Sequence, residues 1–263
     1  MKYKFFIPVA ALLLYSGLFW FRAVQTQIFS RDGYTYCQAV QVWRQSGPDA
    51  MYRELKAISP EWGSMPPLLL AGAAELSWPG SSAKTAILVY NYLCGILFVL
   101  GGWLAGCALT EEEWGPAVTV FSCAVLPSFL RISSDLLRDG SYISYVMFAV
   151  GALLYAIKAE RGGQWWAALG GAAAAAALFS RREGVELIVA VGCWGLWELF
   201  LAIRRRDSHR SRILVRCAYF FAVFAVLTGI GWYAVRLVPS CEWQLLPFHK
   251  AGYVWKHLAG RLW

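Results

Sequence analysis

Leu68-Leu69-Leu70-Ala71-Gly72-Ala73-Ala74-Glu75-Leu76-Ser77-Trp78 is the stretch on which the reading of this chain turns. It is apolar enough to invite a membrane crossing, yet it is short and carries Glu75. A helix needs roughly 17–25 residues to cross the hydrocarbon of a bilayer. Residues 68–78 therefore predict a surface or re-entrant helix rather than a span. The choice matters because one more crossing would carry everything downstream to the opposite side.

The rest of the chain has the composition of a membrane protein. Of 263 residues, 59% are apolar, 16% aromatic and only 15% charged, and the fourteen Trp suit a membrane–water interface. The net charge of +8 is read as basic loops meeting anionic headgroups, and no nucleic-acid partner is expected. Upstream of the deciding stretch, Lys2 and Lys4 precede the apolar run Phe5–Phe21, and no small-x-small cleavage site follows. That predicts a retained signal anchor with its amino terminus in the cytoplasm.

Downstream, the expected spans are Ala86–Leu109, Pro116–Leu130, Tyr142–Ile157, Trp165–Phe179, Val185–Ile203 and Ile213–Val235. The expected fold is an all-α membrane bundle of about seven transmembrane helices over residues 1–235, with juxtamembrane helices in an outer loop, 22–85, and a short extracytoplasmic tail, 236–263. The protein would be multi-pass in the plasma or inner membrane. Gly170-Gly171 and the alanine run Ala172–Ala177 predict close helix contacts, since small side chains let backbones approach. The basic loop from Arg204 to Arg212 falls inside on this topology, as positively charged loops should. The whole-chain count of Lys and Arg does not repeat that signal, because the long first loop and the tail are themselves basic, and Glu111-Glu112-Glu113 also falls inside.

Within the first loop, Tyr36, Val40 and Trp43 recur at helical spacing, with Ser30 or Asp32 placed as a cap. Gly47-Pro48 ends that helix; a second, Ala50–Ile58, is stopped by Ser59-Pro60. The seven Cys show no metal spacing and the three His no HxxxH pattern. A Cys37–Cys241 disulfide is the one pairing that a shared outer face would allow. The tail aromatics and bases, Trp243, His249, Tyr253, Trp255 and Lys256, read as a short interfacial anchor.

Three charged triplets sit at span boundaries: Arg31-Asp32-Gly33, Arg138-Asp139-Gly140 and Arg182-Glu183-Gly184. A single such tripeptide is commonly a solvated helix end. On the expected topology all three face one side, and ionisable groups at membrane depth are costly to keep. A carboxylate there can take a proton from an attacking hydroxyl. Guanidinium groups can hold a phosphate and stabilise it as it leaves. Glycine beside each acid allows tight turns and close approach. Asp135 and Asp139, four residues apart, either face the same way or leave Asp135 as a cap. Two acids from separate loops could also hold Mg²⁺ or Mn²⁺, so a divalent cation stays open as a cofactor.

The order of these features resembles the GT-C superfamily of membrane glycosyltransferases, in its protein O-mannosyltransferase-like and aminoarabinose-transferase-like branch. Arg31-Asp32-Gly33-Tyr34-Thr35-Tyr36 resembles the Asp-(Glu or Gly)-x-x-Tyr motif after the first span. Met65-Pro66-Pro67-Leu68 resembles the Pro-Pro segment closing the first outer loop. Leu136-Leu137-Arg138-Asp139 and Ser180-Arg181-Arg182-Glu183-Gly184 resemble the second acidic motif and the Arg-x-Glu-Gly-like element. Members commonly carry Glu where Gly33 stands here, and they are usually longer than this chain. The resemblance implies inverting transfer of a sugar from a polyprenyl-phosphate donor to a hydroxyl acceptor, on a protein or a glycolipid, at the extracytoplasmic face. By motif match it makes Asp32 the base, Asp139 the second acid near the sugar phosphate, and Arg138, Arg181 and Arg182 the ligands of the carrier's phosphate; Glu183 is read beside them as a further catalytic acid, and Arg31 and Tyr36 as further lipid-phosphate contacts. The shorter length also leaves a non-catalytic accessory subunit, an enzyme that needs a partner subunit, or a flippase of lipid-linked sugars as rival readings.

Overall fold

A computed structural model describes residues 6–25, 31–58, 67–78, 80–112, 114–135, 138–205 and 208–242. Among them the chain is all-α, with ten helices and no strand. The helices are α1 (Phe6–Gln25), α2 (Arg31–Ile58), α3 (Pro67–Glu75), α4 (Ala83–Leu109), α5 (Gly115–Val125), α6 (Pro127–Ser134), α7 (Arg138–Lys158), α8 (Gly163–Ser180), α9 (Gly184–Arg205) and α10 (Ser208–Arg236).

Five of these, α1, α4, α7, α9 and α10, contain stretches long and apolar enough to cross a membrane. The architecture is that of an integral, multi-pass membrane protein. Helices α5 and α6 meet that test only as a pair, bent by 44°. The bend falls at Leu126, whose successor, Pro127, cannot donate a backbone hydrogen bond. The deciding stretch forms α3, nine residues long. At 1.5 Å per residue that is about 14 Å, too short to span.

Helix ends sort into two sets. At one end, Arg22 Nε, near the end of α1, donates to Ser134 Oγ at 3.1 Å, at the end of α6. Arg181 after α8 pairs with Asp139 at the start of α7, and Ser240 after α10 bonds Asp49 of α2. At the other end, Lys158 Nζ donates to Thr110 O at 3.0 Å, joining the ends of α7 and α4. Arg216 Nη1 donates to Ile157 O at 2.5 Å, tying the start of α10 to the end of α7. Consecutive long helices therefore run up and down, as short connections dictate. All three charged triplets lie at the first end.

Small residues set the close crossings. A β-carbon at Gly101 would stand 2.7 Å from the backbone of Met147, so only glycine lets α4 and α7 touch there. Helix α8 is the inner helix of the second half. Its alanines Ala167, Ala173, Ala174, Ala175 and Ala177 are buried between α7 and α10. Helix α8 is 18 residues long, but Gln164, Trp165, Trp166 and its glycines dilute its apolar character, so it is not among those five. Around α1, Tyr15 stacks on Tyr92 with centroids 6.0 Å apart. Phe98 stacks on Phe129 at 3.8 Å; such pairs each contribute about 0.5–1.5 kcal/mol beyond area burial.

The first loop kinks where expected: Gly47 takes φ 83°, and α2 is two helical halves joined there. Its stripe faces protein, with Tyr36 and Val40 buried and Trp43 half-buried. One expectation is corrected. Helix α2 already begins at Arg31, so Asp32 sits in the first turn, where it meets the positive end of the helix dipole rather than capping it. Of the two readings of Asp135, the cap is the one that holds: Asp135 is the C-cap of α6 and pairs with Arg131 at 3.6 Å. The seven cysteines, all among the described residues, form no disulfide, so Cys37 and Cys241 are not bridged. Ser30, Ser59-Pro60, Met65-Pro66, Leu136-Leu137 and the tail from Trp243 onward lie outside the described residues.

Candidate functional site

Helix α7 opens with Arg138 and Asp139. Its first turn is fixed by Ser141 Oγ donating to Arg138 O at 2.8 Å, with Ser141 fully buried. Gly140 lies against α6: a β-carbon there would stand 3.0 Å from Ser133 Cα. Helix α8 ends at the buried Ser180, and Arg181 leaves the helix in extended conformation with its N–H on Ala177 O at 2.9 Å. The turn closes at once, with Gly184 N–H on Arg181 O at 3.1 Å. Gly184 is packed so tightly that a β-carbon would stand 2.7 Å from Leu178 Cα. These two glycines serve close packing of backbone on backbone, not approach of a ligand.

That turn aims Arg181 back over the bundle end. Its Nη1 holds Asp139 Oδ1. Its Nη2 and Nε hold the Glu183 carboxylate, at 3.0 and 3.2 Å. The guanidinium also lies over the Tyr142 ring, 5.7 Å from its centroid. One cation thus joins the second triplet to the third. Burial alone would raise the Glu183 carboxyl, but the Arg181 hydrogen bond and the Arg181 and Arg138 charges hold it below the usual range. Burial would lower Arg181, and its two carboxylates raise it above the ordinary value. Burial and the nearby charge of Arg138 pull Arg182 down, so these two guanidinium groups are neighbours of like sign.

The first triplet joins through Tyr36. This side chain is 3% exposed, and burial pushes its hydroxyl up to about 12. The charges it feels are Arg138, Asp32, Asp139 and Arg181. Asp32 itself is exposed. Seven of the eight residues singled out from the sequence, Asp32, Tyr36, Arg138, Asp139, Arg181, Arg182 and Glu183, therefore share one electrostatic neighbourhood. The Arg31 side chain lies outside the described residues. Tyr142 was missed, although its place three residues after Asp139 puts it on the same helix face.

A divalent cation does not fit this donor set as it stands. The two carboxylates that could chelate it, Asp139 and Glu183, already share a guanidinium. Among the described residues no three His, Cys, Asp or Glu converge.

Beside the charged cluster lies an apolar groove of about 450 Å³ between α2, α3, α8, α10 and the turn after α10. Its walls include Trp43, Leu68, Ala175, Phe179, Val235 and Val238. Phe179 stands two residues before Arg181, and Trp43 seven after Tyr36, about 10 Å along a helix. No charged residue among those described lines the groove, and Phe179 is the wall that lies nearest the cluster along the chain.

No protein-family model matches the chain, and no curated protein matches it.

Proposed function

We propose that the chain is a membrane glycosyltransferase that moves a sugar from a polyprenyl-phosphate donor to a hydroxyl acceptor at the extracytoplasmic face, with inversion. The observation that carries the reading is the meeting of all three charged triplets at one bundle end, beside an apolar groove. An amphipathic donor needs that pair of surfaces: cations for its phosphate and a dry channel for its chain.

In the proposed membrane arrangement α1, α4, the bent α5–α6 pair, α7, α8, α9 and α10 are seven spans. The amino terminus and the Arg204–Arg212 loop are then cytoplasmic. Alternating helix ends support this count, and so does the shortness of α3. A reporter fused after Asp207 should read as cytoplasmic; an extracytoplasmic signal would overturn the arrangement.

The reaction divides among the residues as follows. The acceptor oxygen attacks the anomeric carbon from the face opposite the phosphate. The bond from that carbon to the phosphate oxygen breaks, and its electron pair leaves with the lipid phosphate. Asp32, the exposed acid at the α2 amino terminus, takes the acceptor proton. Arg138 and Arg182 stabilise the departing phosphate, where a second negative charge develops. Arg181 is a positioning residue: held by Asp139 and Glu183, it sets the geometry of α7 against the α8–α9 turn. Tyr36, protonated throughout the working range, donates a hydrogen bond to the sugar or to Asp32.

The test is release of free polyprenyl phosphate by the purified chain in nanodiscs, given a panel of polyprenyl-phospho sugars and a membrane extract as acceptor source. Release that requires both donor and acceptor is expected. Donor that stays intact with every acceptor would leave an accessory role, and movement of intact donor between the leaflets of sealed liposomes holding the chain would point to a flippase.

A further inference from the structure

The turn after α10 is fastened to the second half of α2 and forms one wall of the groove. Pro239 cannot continue a helix, and the chain folds back before it: Leu237 N–H donates to Tyr233 O at 3.2 Å and Val238 N–H to Val235 O at 3.1 Å. Cys241 N–H then donates to Val238 O at 3.0 Å. One side of this turn is apolar, with Val238 and Cys241 lining the groove beside Pro48 and Tyr52.

The other side is polar. Ser240 N–H donates to Asp49 Oδ1 at 2.9 Å, and Lys56 Nζ pairs with Glu242 Oε1 at 2.6 Å. Asp49 also accepts Arg53 at 3.3 Å, which holds its carboxylate toward the turn. Asp49, Tyr52 and Lys56 fall three and four residues apart on one helical face. A single short segment therefore supplies both ties and the wall they close.

The walls of the groove are not equally firm. Ala175, Phe179 and Val235 are buried in the bundle. The polar ties of the turn lie at the surface, where Glu242 is 58% exposed and Asp49 39%; behind them Val238 and Cys241 pack against the core, and Cys241 hydrogen-bonds the buried Tyr52. Exposed polar ties are the weakest in a fold, and they are readily exchanged for water. A wall of that kind opens without disturbing the helices behind it.

We infer that residues 237–242 are a gate on the groove. Undocking from Asp49 and Lys56 opens its side to admit an apolar chain, and redocking encloses the chain against Tyr52 and Phe179. The gate rests on the reading of the groove as a lipid-chain site, so its test has one arm without lipid and one with it.

The full chain is reconstituted in phosphatidylethanolamine–phosphatidylglycerol nanodiscs, and alkylation of Cys241 by N-ethylmaleimide is followed by peptide-resolved mass spectrometry. Cys241 should label slowly in the wild type and about tenfold faster in the Asp49→Ala, Lys56→Ala double variant, the upper range for exposed ties. Cys217, 5% exposed within α10, should stay unreactive in both. Lys56→Glu alone should label fast, and Lys56→Glu with Glu242→Lys should return to the slow rate. That restored pair answers for the gate even if the double variant folds poorly. Wild-type rates in the variants, or no restoration by the exchanged pair, overturn the gate. In the lipid arm, farnesyl phosphate should slow Cys241 labelling in the opened variant. Fast labelling that farnesyl phosphate leaves unchanged overturns the lipid reading and the gate's purpose with it, while the faster rate still reports the tie itself.

Discussion

Arg181 and Asp139 are 42 residues apart in sequence and joined through Nη1 and Oδ1, so a guanidinium after α8 holds the first turn of α7. The same guanidinium holds Glu183. This shared cation, rather than a metal or a solvated boundary, is what brings two of the charged triplets together.

Replacing Arg181 with alanine should therefore separate effects on stability and on activity. The side chain is 29% exposed, so its ion pairs are screened and the stability loss should stay at about 1 kcal/mol. Transfer should fall by about 10²-fold, because α7 and the α8–α9 turn lose register near the reacting atoms. Arg181→Lys should recover most of the melting temperature but little of the activity, since an ammonium cannot bridge two carboxylates in that fork. Equal loss in both measurements would make Arg181 purely structural.

Glu183 gives a pH signature. Its carboxyl is held below the usual range, against burial, by the Arg181 hydrogen bond and the Arg181 and Arg138 charges. The folded state therefore binds that proton less readily than the unfolded chain does. Its contribution is complete above the ordinary glutamate value of about 4.3 and is lost as pH falls through the depressed folded value. Melting curves should show the wild type losing its advantage over Glu183→Gln on acidification below that ordinary value. A constant difference across the titration would contradict the pairing.

Two structural substitutions test the packing beneath the site. Gly184→Ala places a β-carbon 2.7 Å from Leu178 backbone and should cost about 1–3 kcal/mol. Gly192→Ala, whose nearest neighbour would be a Phe221 ring atom at 3.8 Å, should be near neutral by thermal denaturation in the same detergent.

At the far end, Arg216 is 7% exposed and donates to Ile157 O in the last turn of α7 and to Ala159 O just beyond it. Removing it leaves carbonyls without their charged donor. Arg216→Ala should destabilise the bundle by about 1.5–3 kcal/mol. Transfer per folded molecule should be unchanged, because the site lies at the opposite end.

Much of this was legible in the chain itself. The apolar blocks, the break at Gly47-Pro48 and the brevity of residues 68–78 each follow from local rules, and each appears at the expected place. The recurrence of Arg-acid-Gly at alternating helix ends foretold that Asp32, Asp139 and Glu183 would share one end. What could not be read was how the charges divide there. Arg181 was expected to meet a phosphate; that it bridges the carboxylates of Asp139 and Glu183 depends on three-dimensional placement. The groove was equally hidden, since Trp43, Leu68, Ala175 and Val235 are ordinary apolar residues from four helices. The docking of Ser240 on Asp49 spans 191 residues, and no local pattern encodes a contact at that range.

Asp32 is the proposed base, and the most direct measurement is the transfer rate of Asp32→Asn in nanodiscs with a polyprenyl-phospho sugar donor and its acceptor. The substitution keeps shape and removes the base, so the rate should fall by about 10²–10⁴-fold, with donor binding retained and the melting temperature lowered only by the lost charge at the α2 amino terminus. An Asp32→Asn variant that transfers at the wild-type rate would contradict the account.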